Sequence, residues 1–292
     1  MLDRLLLRYF RAPEHPAKLR VVRWLGRAVL PEVGIVAPIH GELRLCLHPR
    51  DWIEYLLLRG DAYEPCTLHF LEANLRPRDG AILAGTNFGL HVAVAARAVG
   101  ESGLVLGVEP QPEALLRARH NLRLNGLLSR VRLVQAALGR EKRLAQMAWS
   151  ATENPGTASL LDPGDGFVTS LQPLDAVKEL LGAAPFRLLL LDVQGFELEA
   201  LKGLHLAEGP ELAVVELDPE FLTRAGTPAE AVVERFTAAG YSVTDLHGNP
   251  PLNLLSLPER NFVAVKSPSV QVHWVPRHLA SGGKPGSARC GN

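Results

Sequence analysis

The chain has 292 residues, of which 47% are hydrophobic, and its 31 lysines and arginines balance its 31 aspartates and glutamates. This length accommodates one large α/β domain with extensions, and the absence of net charge excludes an overall electrostatic attraction for nucleic acid. No apolar run approaches the roughly 18 residues that span a bilayer. The three cysteines are widely spaced and indicate neither a disulfide framework nor a zinc motif, so a reducing, cytoplasmic location is expected. The abundance of Ala, Leu and Arg favours a bacterial source.

An amino-terminal extension is predicted over residues 1–60. Met1–Leu30 has helical patterning interrupted by Pro13 and Pro16, and its charged residues are mostly basic. A helix packed on the main domain with its arginines in solvent is the preferred interpretation, and weak peripheral contact with a membrane surface is the alternative. Gly34–Leu47 alternates in polarity and predicts a small hairpin.

The main domain is predicted to span residues 61–267, and it is organised around Ala81–Gly126. This stretch has the pattern of a buried strand, a glycine turn, a helix, and a second strand that ends in an acidic residue. The turn lacks the G-x-G-x-x-G spacing of dinucleotide sites, which argues against an NAD-dependent oxidoreductase. Its G-x-x-x-G spacing is typical of S-adenosylmethionine sites, and a bare packing unit is the alternative.

Candidate cofactor contacts lie on both sides of this turn. Gly85 and Gly89 are predicted to shape the turn, while Thr86 and Asn87 could hydrogen-bond the methionine end of S-adenosylmethionine, or merely cap the next helix. Glu109, at the tip of the second strand, is placed to accept hydrogen bonds from ribose hydroxyls. The other candidates are Glu64, Pro110, Gln135, Ala136, Ala137 and Asp192.

The rest of the chain continues to alternate between strands and helices. Arg143–Trp149 and Val168–Leu171 predict extra short strands, and between them Ser150–Gly166 predicts a mobile loop or substrate lid. Residues 268–292 are predicted to form a disordered tail. The predicted later strands of the main sheet are Val131–Leu138, Phe186–Leu191, Glu211–Leu217, Tyr241–Leu246 and Phe262–Lys266.

This alternation predicts an α/β fold with a mostly parallel sheet and helices on both of its faces. Because the last two strands are joined without a helix, one late strand should be antiparallel. Ligands in such sheets bind beyond the carboxyl ends of the strands, so Gly85 and Asp192 are expected at the site. Gln135–Ala137, at the end of the third strand, is where an adenine edge is expected.

Together these segments resemble the FkbM family of S-adenosylmethionine-dependent methyltransferases, over about residues 60–266. The resemblance implies the Rossmann-like class I methyltransferase fold, with a seven-stranded sheet, and S-adenosylmethionine as the cofactor. The motifs that carry it are Tyr63-Glu64-Pro65, Gly85-x-Asn87-x-Gly89, Val108-Glu109-Pro110, Asp192-Val193-x-Gly195-Phe196-Glu197 and Leu201-Lys202-Gly203.

The sequence departs from the family pattern at four positions. Leu83 and Thr86 stand where the family has Asp and Ala, and Leu190 and Gln194 stand where it has Lys and Glu. Loss of the acid at residue 83 predicts weaker cofactor binding than in members that keep it. These losses also support an alternative function, a catalytically inactive methyltransferase-fold protein that serves as a binding or assembly module.

The preferred function is O-methylation of a hydroxyl on a glycan, lipid or secondary metabolite. Asp192 and Glu216 end central strands and are the candidate catalytic residues, as a general base or as an anchor for the acceptor. Glu64 could fold over the cofactor, or simply start a helix. No residue spacing argues for a metal site, His91 is interpreted as packing, and the sequence does not predict an oligomeric state.

Overall fold

The computed structural model describes residues 2–13, 15–18, 20, 21, 24, 34–148, 166–250, 253, 254 and 257–281. The strands are β1 (Ile35–Pro38), β2 (Arg44–Leu47), β3 (Gly80–Ala84), β4 (Leu104–Val108), β5 (Val131–Val134), β6 (Ala137–Leu138), β7 (Arg143–Ala148), β8 (Gly166–Gln172), β9 (Phe186–Leu191), β10 (Leu212–Glu216), β11 (Ser242–Asp245) and β12 (Asn261–Val265). The helices are α1 (Leu2–Phe10), α2 (Trp52–Arg59), α3 (Pro65–Asn74), α4 (Leu90–Ala98), α5 (Pro112–Leu124), α6 (Leu174–Lys178), α7 (Glu197–Lys202), α8 (Pro219–Ala225) and α9 (Ala229–Thr237).

A seven-stranded sheet in the order β11-β12-β10-β9-β3-β4-β5 forms the centre of the molecule. Its strands pair in parallel except for β12, which is antiparallel to both β10 and β11. The predicted fold and the single antiparallel late strand are confirmed. The strand order reverses between β3 and β9, which places the expected ligand site at the carboxyl ends of these two strands.

The sheet separates two apolar clusters, because successive side chains of a strand point to opposite faces. Leu83 and Leu190 belong to the cluster on the face covered by α3 and α4, and Ile82 and Leu189 belong to the cluster on the face covered by α6, α7 and α9. Every residue of β3 is buried. A strand covered on both faces reads as a continuous apolar run, which is why the sequence revealed it.

A three-stranded sheet in the order β6-β8-β7 lies beside the main sheet. Strand β7 runs antiparallel to β8, and the two extra strands predicted from the sequence are both present. Met147, near the end of β7, is 4% exposed. The predicted loop Ser150–Gly166 falls almost entirely on residues 149–165, which lie outside the described residues.

The amino-terminal extension packs on the main domain through α1 and the β1–β2 hairpin. Phe10 of α1 is fully buried and its ring contacts Tyr55 of α2. The hairpin is tied to α5 by two asparagines: Asn121 accepts a hydrogen bond from the Cys46 amide at 2.7 Å, and Asn125 bonds the Arg44 backbone. Within the described residues, no helix is long and apolar enough to cross a membrane.

Residues 268–281 lie against the domain, within the range for which the sequence predicted a disordered tail. The amide and carbonyl of His273 bond the side chain of Asn74 at 2.8 and 2.9 Å, and the Val275 amide donates to Leu246 O at 3.0 Å. Val275 is only 3% exposed. We therefore propose that the domain extends to about residue 281; residues 282–292 lie outside the described residues.

Candidate active site

The glycine turn after β3 fits against the end of β9. Gly85 has a φ of +88°, and a Cβ on it would lie 2.1 Å from the carbonyl oxygen of Asp192. A Cβ on Gly89 would lie 3.0 Å from Cα of Ala118 in α5. Both glycines are therefore needed for close backbone packing. This packing brings Gly85 and Asp192 together, as the sequence predicted from the convergence of strand ends.

A cavity opens beyond the carboxyl ends of β3, β4 and β9. Seven of the predicted site residues line it: Gly85, Asn87, Glu109, Pro110, Ala136, Ala137 and Asp192. The sequence did not identify the other lining residues, which are Ala84, Val108, Gln111, Leu138, Met147, Val193, Gln194 and Phe196. Met147 reaches the cavity from the smaller sheet, a placement that no local pattern in the sequence signals.

The other predicted contacts lie outside the cavity wall. The side chain of Thr86 is buried and its hydroxyl donates to Val108 O at 3.2 Å. Gln135 is exposed, and Gly89 packs against α5. Glu64 and Glu216 are also absent from the cavity wall. Contact of these residues with a cofactor stays a prediction.

Glu109 connects the end of β4 to the glycine turn. Its carboxylate accepts hydrogen bonds from the Asn87 amide at 2.9 Å and from the Gln111 amide at 3.0 Å. Burial raises the pKa of Glu109 to about 7, against these two hydrogen bonds, and Asp192 raises it further. Each carboxylate oxygen can accept more than one hydrogen bond, so both can still accept from a ligand in the cavity.

Asp192 presents a carboxylate to the cavity from the end of β9. Its Oδ1 atom is buried and has no hydrogen-bond partner among the described residues. Its carboxylate is hydrogen-bonded to the side chain of Glu216 at the end of β10. Burial, followed by the nearby Asp192, raises the pKa of Glu216 well above its ordinary value. Glu216 therefore retains its proton and donates a hydrogen bond to the carboxylate of Asp192.

The turn after β9 is stabilised by Glu197, the first residue of α7. Its carboxylate accepts hydrogen bonds from the amides of Val193 at 3.1 Å and Gly195 at 3.0 Å. Gln194 and Gly195 both have positive φ values, of 53° and 96°. Glu197 is 2% exposed, so its role in this structure is to hold the turn that carries Asp192.

A buried group of ionisable side chains at the starts of α3 and α4 interacts electrostatically with Asp192. Glu64 Oε2 lies 3.1 Å from His91 Nε2, and the two side chains are 17% and 14% exposed. The ring centroids of Tyr63 and His91 are 6.4 Å apart. The sequence favours a packing role for His91, and its only signal of another role is its position two residues after Gly89.

The chemistry of the cavity fits S-adenosylmethionine. Glu109 and Asn87 offer hydrogen-bonding groups for a ribose and for the polar end of an amino acid, and Ala136, Leu138 and Phe196 offer apolar surface for a base. The unpartnered Oδ1 of Asp192 provides one more acceptor. In the described part of the chain, no group of three or more His, Cys, Asp or Glu side chains is arranged to hold a metal ion.

The strand order and the cavity at the switch point define the class I methyltransferase fold. The family model of the methyltransferase FkbM domain matches residues 84–243, more than half of the chain, and the chain belongs to this family. The protein is an S-adenosylmethionine-dependent methyltransferase, as the motifs predicted. A comparison with curated protein sequences gives no match.

Solved structures show distant similarity. An S-adenosylmethionine-dependent O-methyltransferase from Thermotoga maritima is 16% identical, with 70% of this chain and 66% of that chain covered and a TM-score of 0.42. A methyltransferase from Geobacter sulfurreducens is 15% identical, with 70% and 78% covered and a TM-score of 0.40. An rRNA methylase from Streptococcus thermophilus is 16% identical, with 68% and 91% covered and a TM-score of 0.37. At these levels the similarity carries no argument about the acceptor.

Proposed function

We propose that the protein transfers a methyl group to a hydroxyl oxygen of a small molecule, a glycan or a lipid. The observation that supports this best is Asp192, which lines the cavity and whose buried Oδ1 has no hydrogen-bond partner among the described residues. A hydroxyl must lose its proton as its oxygen attacks a methyl carbon, and a carboxylate within hydrogen-bond distance can accept that proton.

The proposed division of roles follows from where each residue lies. S-adenosylmethionine supplies the methyl group from a sulfonium centre. Glu109 binds the ribose hydroxyls, and the backbone around Gly85 and Asn87 binds the amino-acid end. Ala136 and Ala137 bound the adenine pocket. Alignment of the donor and acceptor provides most of the catalytic effect in such a displacement.

Asp192 takes the proton from the hydroxyl of the methyl acceptor, while Glu216 keeps its own proton. Glu216 donates a hydrogen bond to Asp192 and thereby orients its carboxylate, leaving Oδ1 for the acceptor. General-base catalysis of this kind contributes about 10²- to 10⁴-fold to a rate. Glu216 is thus proposed as the positioning residue and Asp192 as the catalytic residue of the pair.

The departures from the family pattern leave this arrangement in place. Leu83 and Leu190 are buried in the apolar cluster beneath α3 and α4 and do not line the cavity. Of the changed positions, Gln194 alone is a lining residue, among those the structure describes. This supports a working transfer site over the inactive binding module.

Transfer of tritium from methyl-labelled S-adenosylmethionine into small-molecule, glycan and lipid fractions of cell extract tests this function. The expected result is labelled product with the wild type and at least about 100-fold less with Asp192→Asn, which removes the base but keeps the shape. Asp61→Asn, at an exposed residue that does not line the cavity, is the matched control and should label like the wild type. Equal labelling by Asp192→Asn would remove Asp192 from catalysis.

A further inference from the structure

Glu64 has the position of a helix cap and does not serve as one. It precedes α3, its φ and ψ are 44° and 51°, and its side chain makes no capping hydrogen bond. A left-handed backbone costs a non-glycine residue about 1–3 kcal/mol and persists only where the surroundings enforce it. The Glu64 carboxylate lies beside the imidazole of His91 instead.

The start of α3 is capped by a residue from the far end of the chain. Glu259 accepts hydrogen bonds from the amides of Cys66 and Thr67, both at 2.8 Å, and from the Thr67 hydroxyl at 2.8 Å. Glu259 also has a positive φ, of 52°. Because Glu259 satisfies the helix amides, Glu64 is available for a different function.

The Glu64–His91 pair lies among the charges that act on Asp192. Burial raises the pKa of Asp192 and so does the charge of Glu64, whereas His91 lowers it. Burial alone would lower the pKa of His91, but Glu64 outweighs this effect and the pKa of His91 is raised. The titratable groups that interact electrostatically with Asp192 are Tyr63, Glu64, His91, Glu109, Glu197, Glu216 and Asp218.

A single cation among these carboxylates changes what Asp192 can do. Five of these seven groups are carboxylic acids and one is the tyrosine hydroxyl of Tyr63, so only His91 carries positive charge when it is protonated. Arg260 acts on Glu64 and forms an ion pair with Asp218. A buried carboxylate surrounded by other acids stays protonated unless a nearby cation favours its charged form.

We propose that Glu64 and His91 form a positioning pair for the methyl-transfer site, in which Glu64 holds the protonated imidazole of His91 beside Asp192 so that Asp192 stays ionised and can accept the proton of the acceptor hydroxyl. This inference rests on the proposed function of Asp192. In the transfer step the hydroxyl oxygen forms a bond to the methyl carbon, the carbon–sulfur bond breaks with its electrons going to sulfur, and the proton passes to Asp192.

The test is a carbon-13 NMR titration of the aspartate and glutamate carboxyl groups in the intact protein, with the Asp192 signal assigned by its loss in Asp192→Asn. In His91→Gln the apparent pKa of the Asp192–Glu216 pair should rise by about one unit, because the cation is lost while Glu64 keeps its charge. In the double variant Glu64→Gln/His91→Gln it should fall between the wild type and His91→Gln. An unchanged titration in a folded His91→Gln would overturn the proposal.

The titration of His91 itself provides a second measurement, which can still be made if His91→Gln does not fold. The imidazole carbon–proton signal of His91 should titrate above pH 6.5 in the wild type and at a lower pH in Glu64→Gln. An unchanged His91 titration in Glu64→Gln would mean that Glu64 does not hold the charge of His91, and the proposal would be wrong.

His40 and Glu72 supply a matched control. His40 Nε2 lies 3.0 Å from Glu72 Oε2, a distance close to that of the buried pair, but their side chains are 29% and 40% exposed. His40→Gln should leave the Asp192 titration unchanged.

Neither NMR titration requires a methyl acceptor. If the wild type transferred no tritium to any extract fraction, the proposed function would be contradicted, while the titrations would still decide the role of the Glu64–His91 pair.

Discussion

Glu109 makes the affinity for the cofactor depend on pH. Its pKa of about 7 means that much of it is protonated at pH 6, whereas an ionised carboxylate accepts more hydrogen bonds from ribose hydroxyls. The dissociation constant of S-adenosylhomocysteine should therefore be about tenfold higher at pH 6 than at pH 8. Calorimetry at the two pH values measures this. In Glu109→Gln, which has no charge to lose, the difference should be much smaller; an equal difference would assign the titration to another group.

The positions of Leu83 and Leu190 account for the joint replacement of two charged residues of the family pattern. They are register partners on β3 and β9, and they are 1% and 4% exposed. An aspartate and a lysine at these positions would lie side by side, and removing only one would leave a buried charge without a partner. Exchanging both for leucine avoids that cost.

This pairing predicts strong coupling between the two positions. Leu83→Asp should destabilise the protein by about 3–5 kcal/mol, because it buries an unpaired carboxylate. Adding Leu190→Lys should recover about 1–3 kcal/mol of that loss. Urea unfolding of the wild type, both single variants and the double variant measures the coupling. If the double variant loses the sum of the two single losses, the side-by-side placement is wrong.

At the scale of elements, the segment after β12 ties together parts that are distant in sequence. His273 bonds Asn74 of α3, Trp274 packs against Phe70 and Gly248, and Val275 bonds Leu246 after β11. Such a segment stabilises the fold through apolar burial and a few hydrogen bonds.

Truncation of this segment should therefore lower the melting temperature. A chain ending at residue 267 should lose about 2–4 kcal/mol of stability through exposure of Val275 and its neighbours and loss of the hydrogen bonds to Asn74. A chain ending at residue 281 keeps these contacts and is the control. Circular dichroism during heating compares the two, and equal melting temperatures would show that the segment contributes nothing.

The sequence predicted the elements of the main sheet because their burial leaves a direct pattern. The apolar runs around Ala81 and Phe186 gave β3 and β9, and convergence of parallel strand ends placed Gly85 near Asp192. The sequence could not predict the contacts that depend on tertiary packing. Three such contacts join segments that are distant in sequence and leave no local pattern. They are the capping of α3 by Glu259, the pairing of Glu64 with His91 and the position of Met147 in the cavity wall.

For the whole molecule, buried acids set the dependence of stability on pH. Burial is the largest cause that raises the pKa values of Glu54, Glu109 and Glu197, each to about 7. An acid whose pKa is higher in the folded than in the unfolded protein stabilises the fold while it is protonated. This contribution is complete below the unfolded pKa and is lost as the pH rises through about 7.

The ligand-free protein should therefore be less stable at pH 8.5 than at pH 5.5. The loss is of the order of a few kcal/mol, spread over these carboxyl groups. Thermal unfolding at both pH values provides the measurement. A melting temperature that is equal or higher at pH 8.5 would mean that these carboxyl groups are ionised in the folded protein at neutral pH.

The most direct test of the account is calorimetric titration of S-adenosylmethionine into the wild type and into Glu109→Ala. The cavity predicts one binding site in the wild type and a loss of about 1–3 kcal/mol of binding free energy in the variant, as expected for a charge-assisted hydrogen bond. Absence of binding at millimolar S-adenosylmethionine, or equal affinity in the two proteins, would contradict the placement of the cofactor between Glu109 and the glycine turn.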